Sequence, residues 1–459
     1  MESGEPGRNQ EAGTTEVRTI RPFDVTHRLV LGIAIPMTLG FLTTPLLGLT
    51  STAVVGQLGQ AESLAGLAIG AILFDLIYGS LSFFRTSTTG LVAQAFGRGD
   101  HREQQAVFWR AFLSAIGLGV IMLALSPLIL RYAPDLMTGD PTVADVTRHY
   151  FGIRVLTSPA TFANFAILGF VLGRGQGMLG LTLQIILNGT NIVLAILFGL
   201  VFGWGVAGVA WATAAAEVVA VVIGLVIVSR QFSAADRPTR ADLLDTAKLR
   251  QLFQLNADIL IRSLILNGAF AALTRVGSSF GAVTLAANAV LMNIFMLSAF
   301  FLDGLAGAAE QLAGRAVGAQ HRPSFDRALK LTGLWSFVMA GAVGLFFVVS
   351  GQPIIELLTT SQDVRQEAYT YLGWAAVTGL TGALAFQMDG VFIGATWSRE
   401  MRNMMLVSFA GYCVGLAVLV PLMGNHGLWL SLNLFLLMRG FFLAAMVPRK
   451  ARQSFVSAH

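Results

Sequence analysis

Between residues 29 and 448 the chain alternates long apolar runs with short polar connectors. Runs such as "LGVIMLALSPLILRY" and "VVAVVIGLVIVS" are continuous rather than alternating. A stretch of about 20 apolar residues crosses a bilayer as a helix. A membrane barrel instead needs strands that alternate at every second residue and close on themselves. The pattern therefore predicts an all-α polytopic membrane protein. Twelve spans are placed at 29–56, 63–96, 104–132, 145–174, 177–200, 205–230, 251–277, 281–314, 324–350, 364–396, 399–422 and 426–448. Only 12% of residues are charged, against about 25% in soluble domains.

The polar connectors sort by charge. Arg98, Arg102, Arg230, Arg237, Arg240, Lys248, Arg250, Arg322, Arg327, Lys330, Arg449 and Arg452 fall on one side of the predicted membrane. Arg131, Arg148, Arg275 and Arg365 fall on the other. The basic side is normally cytosolic, so both termini are expected there. That sorting, rather than nucleic-acid binding, accounts for the net charge of +5. The expected organisation is a mobile cytosolic tail at 1–28, an N-lobe at 29–230, a cytosolic linker at 231–250, a C-lobe at 251–448 and a cytosolic tail at 449–459. The first 21 residues lack the apolar core of a signal peptide. The single cysteine, Cys413, leaves no disulfide and no metal cluster to expect.

An internal repeat divides the spans. "YFGIRVLTSPATFANFAILGFVLG", from Tyr150, lies over "YLGWAAVTGLTGALAFQMDGVFIG", from Tyr371. Gly152, Thr157, Gly169 and Gly173 fall on Gly373, Thr378, Gly390 and Gly394. The shift is 221 residues, and it also places Val55 and Gly56 on Val276 and Gly277, and Gly97 on Gly318. Each half holds six spans, an even number, so the second half enters the membrane as the first does. Two parallel repeats around a central cleft form an architecture suited to alternating access.

Charges within spans are costly and mark function by default. Asp303 and Asp389 have no basic neighbour in sequence, so they are the first candidates for exchanging a coupling ion. Asp389 falls on Leu168 of the first half, so the fold does not demand a carboxylate there. Asp258 and Arg262 are four apart on one helix face, where pairing within the helix is expected. Glu310 is expected to pair with Arg315 near a span end, and both Glu310 and Asp258 remain further coupling candidates. Arg85 precedes "TSTTG", whose hydroxyls are suited to loosened backbone. Asn164, Asn191 and Asn288 either bond between helices or line the cleft. Phe386 and Phe392 suit a cationic or apolar cargo. No P-loop, "HExxH" or nucleophile elbow occurs, which argues against ATP-driven pumping and hydrolysis.

Together "PLLGLTSTAVVGQLG", "FFRTSTTGLVAQAFG", "GWGVAGVAWATAAAE", "LNADILIRSLIL", "AANAVLM", "FLDGLAGAAEQLAGRAVGA", "DGVFIGAT" and "REMRNMM" resemble the multidrug and toxic compound extrusion (MATE) transporters, in particular their DinF-like branch. The resemblance covers essentially the whole membrane region. It implies an exporter of organic cations or amphiphiles, coupled to protons or sodium, with no organic cofactor. It also implies a multi-pass protein of a bacterial inner membrane, expected to be a monomer. Two acids that the branch carries in its amino-terminal cation site are replaced here by Ser51 and Ala195. Asp75, in "AILFDLIYG", is an acid the branch does not typically show. It is expected to face the cleft as a substitute titratable group, to pair with an arginine such as Arg110, or to lie near the watery mouth of the bundle. The rival readings are a flippase for lipids or lipid-linked precursors, a passive channel, and an inactive relative. A cleft rich in arginine favours anionic cargo, and one rich in aspartate favours cations.

Overall fold

The computed structural model describes residues 20–455. They form helices α1 (His27–Gly56), α2 (Ala61–Phe74), α3 (Phe83–Arg98), α4 (His101–Met137), α5 (Pro141–Val155), α6 (Ser158–Gly173), α7 (Gly177–Ile196) and α8 (Gly205–Ser229). After the short α9 (Arg240–Leu243) come α10 (Thr246–Gly277), α11 (Ala282–Gly318), α12 (Arg322–Leu358), α13 (Gln362–Gly394), α14 (Ser398–Met423) and α15 (Asn425–Ser454). Among the described residues, 11 helical stretches are long and apolar enough to cross a membrane, and the bent pair α5–α6 makes the count 12.

The second and fourth spans depart from a straight helix. The second is interrupted by a π turn at Asp75–Gly79 between α2 and α3. Such turns open the backbone ladder locally and often lie at functional sites. The fourth bends by 55° between α5 and α6. Pro159 follows Ser158 at the start of α6. Its ring cannot donate to the preceding turn and disfavours helix in the residue before it.

The repeat seen along the sequence recurs in the contacts. A Cβ on Gly169 or Gly173 would meet the Arg85 or Thr89 carbonyl at 2.5 and 2.8 Å. At the same shift, a Cβ on Gly390 or Gly394 would meet the Ala306 or Glu310 carbonyl at 2.1 and 2.0 Å. Only glycine allows α6 to lie this close to α3, and α13 to α11. Left-handed backbone repeats as well: Gly99 corresponds to Gln320, and Gly175 to Thr396, all at positive φ.

The two lobes meet through the same device. A Cβ on Gly97 of α3 would meet the Arg315 carbonyl at 2.1 Å, and one on Gly318 of α11 would meet the Gln94 carbonyl at 2.0 Å. These four positions exchange under the 221-residue shift, so the contact is its own mirror across the pseudo-two-fold axis. Gln94 adds bonds from its Nε2 to the Gly394 carbonyl (3.0 Å) and to Thr396 Oγ1 (3.1 Å). All of this lies at the end of the bundle where α3 and α11 finish. Towards the other end, Gly48 and Gly56 of α1 and Gly281 before α11 have open space around them.

The polar segments at the basic end are more ordered than their composition suggests. Residues 1–19 and 456–459 of the expected tails lie outside the described residues. Residues 20–26 dock instead of trailing. The Arg21 amide donates to the Ala319 carbonyl at 3.0 Å, and Arg327 Nε donates to the Val25 carbonyl at 2.6 Å. Phe23 lies under the Arg315 guanidinium at 4.0 Å. The 231–250 connector is pinned by Arg102 to Asp242 (2.9 Å from Nε) and by Lys248 to Glu103 (2.7 Å). Its last five residues already belong to α10, and α15 continues through 449–454 into the expected carboxyl-terminal tail.

Candidate functional site

A cavity of about 300 Å³ lies inside the C-lobe, against α3 of the N-lobe. Six charged residues line it: Arg85, Arg262 and Arg439, and Asp303, Glu310 and Asp389. Phe270, Phe295 and Phe386 supply aromatic wall. With every group ionised, the formal charge of the lining is zero. Asp303, Glu310, Asp389 and Phe386, singled out along the sequence, are thus brought together.

Asp389 is not the lone carboxylate that its sequence neighbours suggest. Its Oδ2 accepts from Arg262 Nη1 and from Arg439 Nη2, both at 2.6 Å. Arg439 is 3% exposed and Asp389 8%. The Nε of each arginine is buried without a hydrogen-bond partner in the described structure. Two cations on one carboxylate oxygen leave a local excess of positive charge, so Asp389 offers little to an incoming cation in this state. Arg439 is absent from the sequence-based candidates, although "FLLMRGFF" places it alone in the twelfth span, by the criterion that selected Asp389.

The expected pairs are therefore corrected. Asp258 does not bind Arg262 on its own helix. It accepts from Arg402 Nη1 (2.6 Å) and Ser398 Oγ (2.7 Å), both on α14. Glu310 does not bind Arg315, whose guanidinium stacks on Phe23 and Phe96. Glu310 instead turns into the cavity, 3% exposed, with its Oε1 unpartnered. Arg315 has aromatic faces close by, and cation–π attraction satisfies it there. Asp303 faces the cavity space. Arg85 reaches the same space from the N-lobe and stacks on Phe41 at 5.3 Å.

The remaining candidates lie elsewhere. Asn164 donates to the Glu217 carbonyl at 3.0 Å, and Asn191 donates to Thr213 at 3.1 Å. Asn288 bonds reciprocally with Asn425 (2.8 and 3.0 Å) and accepts from Trp429 Nε1 at 2.8 Å. All three join helices rather than face the central cavity. Asn288→Leu should therefore cost about 1–3 kcal/mol by orphaning Asn425 and Trp429. A drop in thermal stability with transport retained per folded molecule is the expected measurement. Phe392 is fully buried against Trp397 at 5.3 Å, outside the cavity. Ala195 is buried in the same apolar cluster as Val54, and Ser51 is half-buried. Asp75 sits on the exposed face of the π turn and does not line the cavity. Arg110 pairs with Glu103 at 2.8 Å, not with Asp75.

The N-lobe holds its own buried ion pair. Arg154 Nη2 meets Glu217 Oε1 at 3.3 Å, and Thr157 and Thr161 donate to Oε2 at 2.8 and 2.7 Å. Arg154 also stacks on Phe74 at 3.7 Å. The pair ties α5 and α6 to α8 across the bend of the fourth span.

Two parallel lobes of six membrane spans, with a charged cavity beside their contact, define a transporter-type membrane protein. Comparison with known proteins is specific. The model of the MatE family matches residues 36–197 and 259–419. The chain is 36% identical over 423 residues to DNA damage-inducible protein F of Escherichia coli, covering 92% of each chain. It is 29% identical to a probable multidrug resistance protein NorM of Deinococcus radiodurans, covering 93% of this chain and 96% of the other. Among solved structures, a multidrug and toxic compound extrusion transporter in its outward-facing conformation matches with a TM-score of 0.81 at 18% identity, over 93% of this chain and 97% of the other. A transporter from Pyrococcus furiosus, whose binding pocket is described as of reverse polarity, matches with a TM-score of 0.85 at 18% identity, over 94% and 97%. The chain belongs to the MatE family, and several of its relatives are named as multidrug resistance proteins or transporters.

Proposed function

We propose that the chain is a secondary active exporter in a bacterial inner membrane. It expels organic cations or cationic amphiphiles in exchange for protons or sodium, by rocking of its two lobes. The observation that carries this reading is the cavity at the lobe contact, where Asp303 and Glu310, neither in a salt bridge among the described residues, face the space beside Phe270, Phe295 and Phe386. Carboxylates attract cations, and aromatic faces suit both their charge and their apolar bodies. The basic ends of the helices face the cytosol, so the glycine contact between α3 and α11 closes the inner side. No organic cofactor is needed, and a single chain holds all of these elements.

A second reading has its own support. Arg85, Arg262 and Arg439 line the same cavity, and guanidinium pairs suit phosphate and carboxylate. A flippase for lipids or lipid-linked precursors with anionic headgroups is the alternative.

The test is efflux from proteoliposomes. Uphill export of a fluorescent organic cation, driven by an imposed proton or sodium gradient and abolished when the gradient is collapsed, is expected. Movement only down the cargo's gradient would make the protein a channel. Exchange of anionic lipid with no organic-cation movement would favour the flippase. Binding with no movement of either would mark an inactive relative.

A further inference from the structure

A second space, of about 370 Å³, lies at the basic end of the C-lobe between the starts of α10 and α14. Gln251, Gln254, Asp258, Ser398, Arg399 and Arg402 are among its walls. Its lining mixes charged and polar residues with Leu255, Ala257 and Ile261. Along α10 the two linings interleave: Asp258 and Ile261 face this vestibule, whereas Ile259 and Arg262 face the cavity. At the end of α13 the same division holds, with Ile393 on the cavity and Thr396 on the vestibule. The two spaces thus border the same stretch of α10 and the same α13–α14 corner. Thr396 sits in left-handed backbone, φ 57°, which is unusual for a β-branched residue. Gln94 of the other lobe holds it there.

An ion pair borders each space. Asp258 binds Arg402 on the vestibule side, and Arg262 binds Asp389 on the cavity side. Yet Asp258 and Arg262 are four residues apart on α10, within reach of each other on a common face. The same charges thus have two alternative pairings, the second of which leaves Arg402 without a carboxylate.

We propose that this turn of α10 is a second inner gate, within the C-lobe and in addition to the α3–α11 contact between the lobes, and that it works by exchanging ion pairs. With the gate closed, the pairs are Asp258–Arg402 and Arg262–Asp389. With it open, Arg262 swings to Asp258, Arg402 is released to solvent and Asp389 keeps Arg439 alone. Arg402 is 28% exposed along its side chain even when paired, and its Nε and Nη2 also donate to Asn403 Oδ1, so its guanidinium keeps polar partners when it leaves Asp258. The exchange also alters the charge of the cavity. Three arginines balance three carboxylates while Arg262 faces inward. When it leaves, the lining carries a formal charge of −1. The cavity becomes attractive to a cation as it opens to the cytosol. Return of Arg262 restores neutrality, competes for Asp389 and displaces the cargo outward. This rests on the reading of the chain as a cation exporter, but the gate itself can be tested without transport.

The test uses the full chain in membrane vesicles with Cys413→Ser and a reporter, Ala299→Cys, in the cavity wall. The rate of labelling by a membrane-impermeant maleimide from the basic side is measured. Arg402→Ala frees Asp258 to capture Arg262, so labelling should rise several-fold. Asp258→Asn removes the alternative partner, so labelling should stay at or below the parent. Binding of tetraphenylphosphonium should tighten in the first variant and weaken in the second. If Asp258–Arg402 were merely a structural tie, breaking either partner would loosen the vestibule alike. Equal labelling of the two variants, or the reverse order, overturns the proposal. Arg402→Gln serves if Arg402→Ala does not accumulate. Absence of driven efflux together with the expected labelling would sink the exporter reading and leave the gate. Driven efflux without that labelling pattern would do the opposite.

Discussion

Asp389→Asn should unfold far more readily than the parent, by about 3–5 kcal/mol, and should lose driven efflux. The estimate is the usual cost of removing one partner from a buried charge network. Both guanidinium groups of Arg262 and Arg439 rest on a single carboxylate oxygen. An amide there leaves two cations facing each other in a low-dielectric site. Stability should return when the network is removed rather than broken. Asp389→Leu with Arg439→Leu takes out one charge of each sign and leaves Arg262 able to reach Asp258. The repeat supports the choice, since Leu168 and Val218 occupy the equivalent positions of the N-lobe. Apolar replacement of a complete buried ion pair is often neutral or stabilising. Efflux should nevertheless stay absent, because the cavity has lost a carboxylate. Thermal unfolding in detergent and proteoliposome efflux separate the two effects. An Asp389→Asn protein as stable as the parent would show that the arginines do not depend on this carboxylate.

What was legible in the sequence follows from the reach of each signal. Span count, lobe division and the parallel repeat are properties of continuous stretches, and the bilayer enforces them residue by residue. The repeat even located close contacts, because glycines that match at one shift mark places where two helices touch. Ion pairing was not legible. Asp258 and Arg262 look like partners because four residues apart means one face of a helix, but α14 brings Arg402 and Ser398 to Asp258, and α13 brings Asp389 to Arg262. Which of two available partners wins depends on packing between helices, to which spacing along one helix is blind. Asn191 and Asn288 take the helix-joining alternative for a related reason. An amide within a membrane needs a partner, and Asn191 and Asn288 found theirs on neighbouring helices. Phe386 and Phe392 lie on one helix, yet only the first reaches the cavity.

Gly97→Ala and Gly318→Ala should trap the transporter open on its basic side. Each new Cβ would lie 2.1 or 2.0 Å from a backbone carbonyl of the other lobe. A carbonyl within a helix cannot turn aside as a side chain can, so α3 and α11 must separate. Overpacking of this kind costs about 1–3 kcal/mol. The clash exists only while the lobes are closed, so the cost falls on one state. The equilibrium should then shift by roughly 5- to 150-fold. Maleimide labelling of Ala299→Cys from the basic side should rise accordingly, and efflux should fall because closure is part of the cycle. The matched control lies within the C-lobe. Gly390→Ala and Gly394→Ala create clashes as close, with the carbonyls of Ala306 and Glu310. Those contacts join α13 to α11 inside one lobe and persist in every state. These variants should lose thermal stability without favouring either side. If all four glycine variants lower stability equally and none changes labelling, the α3–α11 contact is not the moving seal, and the lobes part somewhere else.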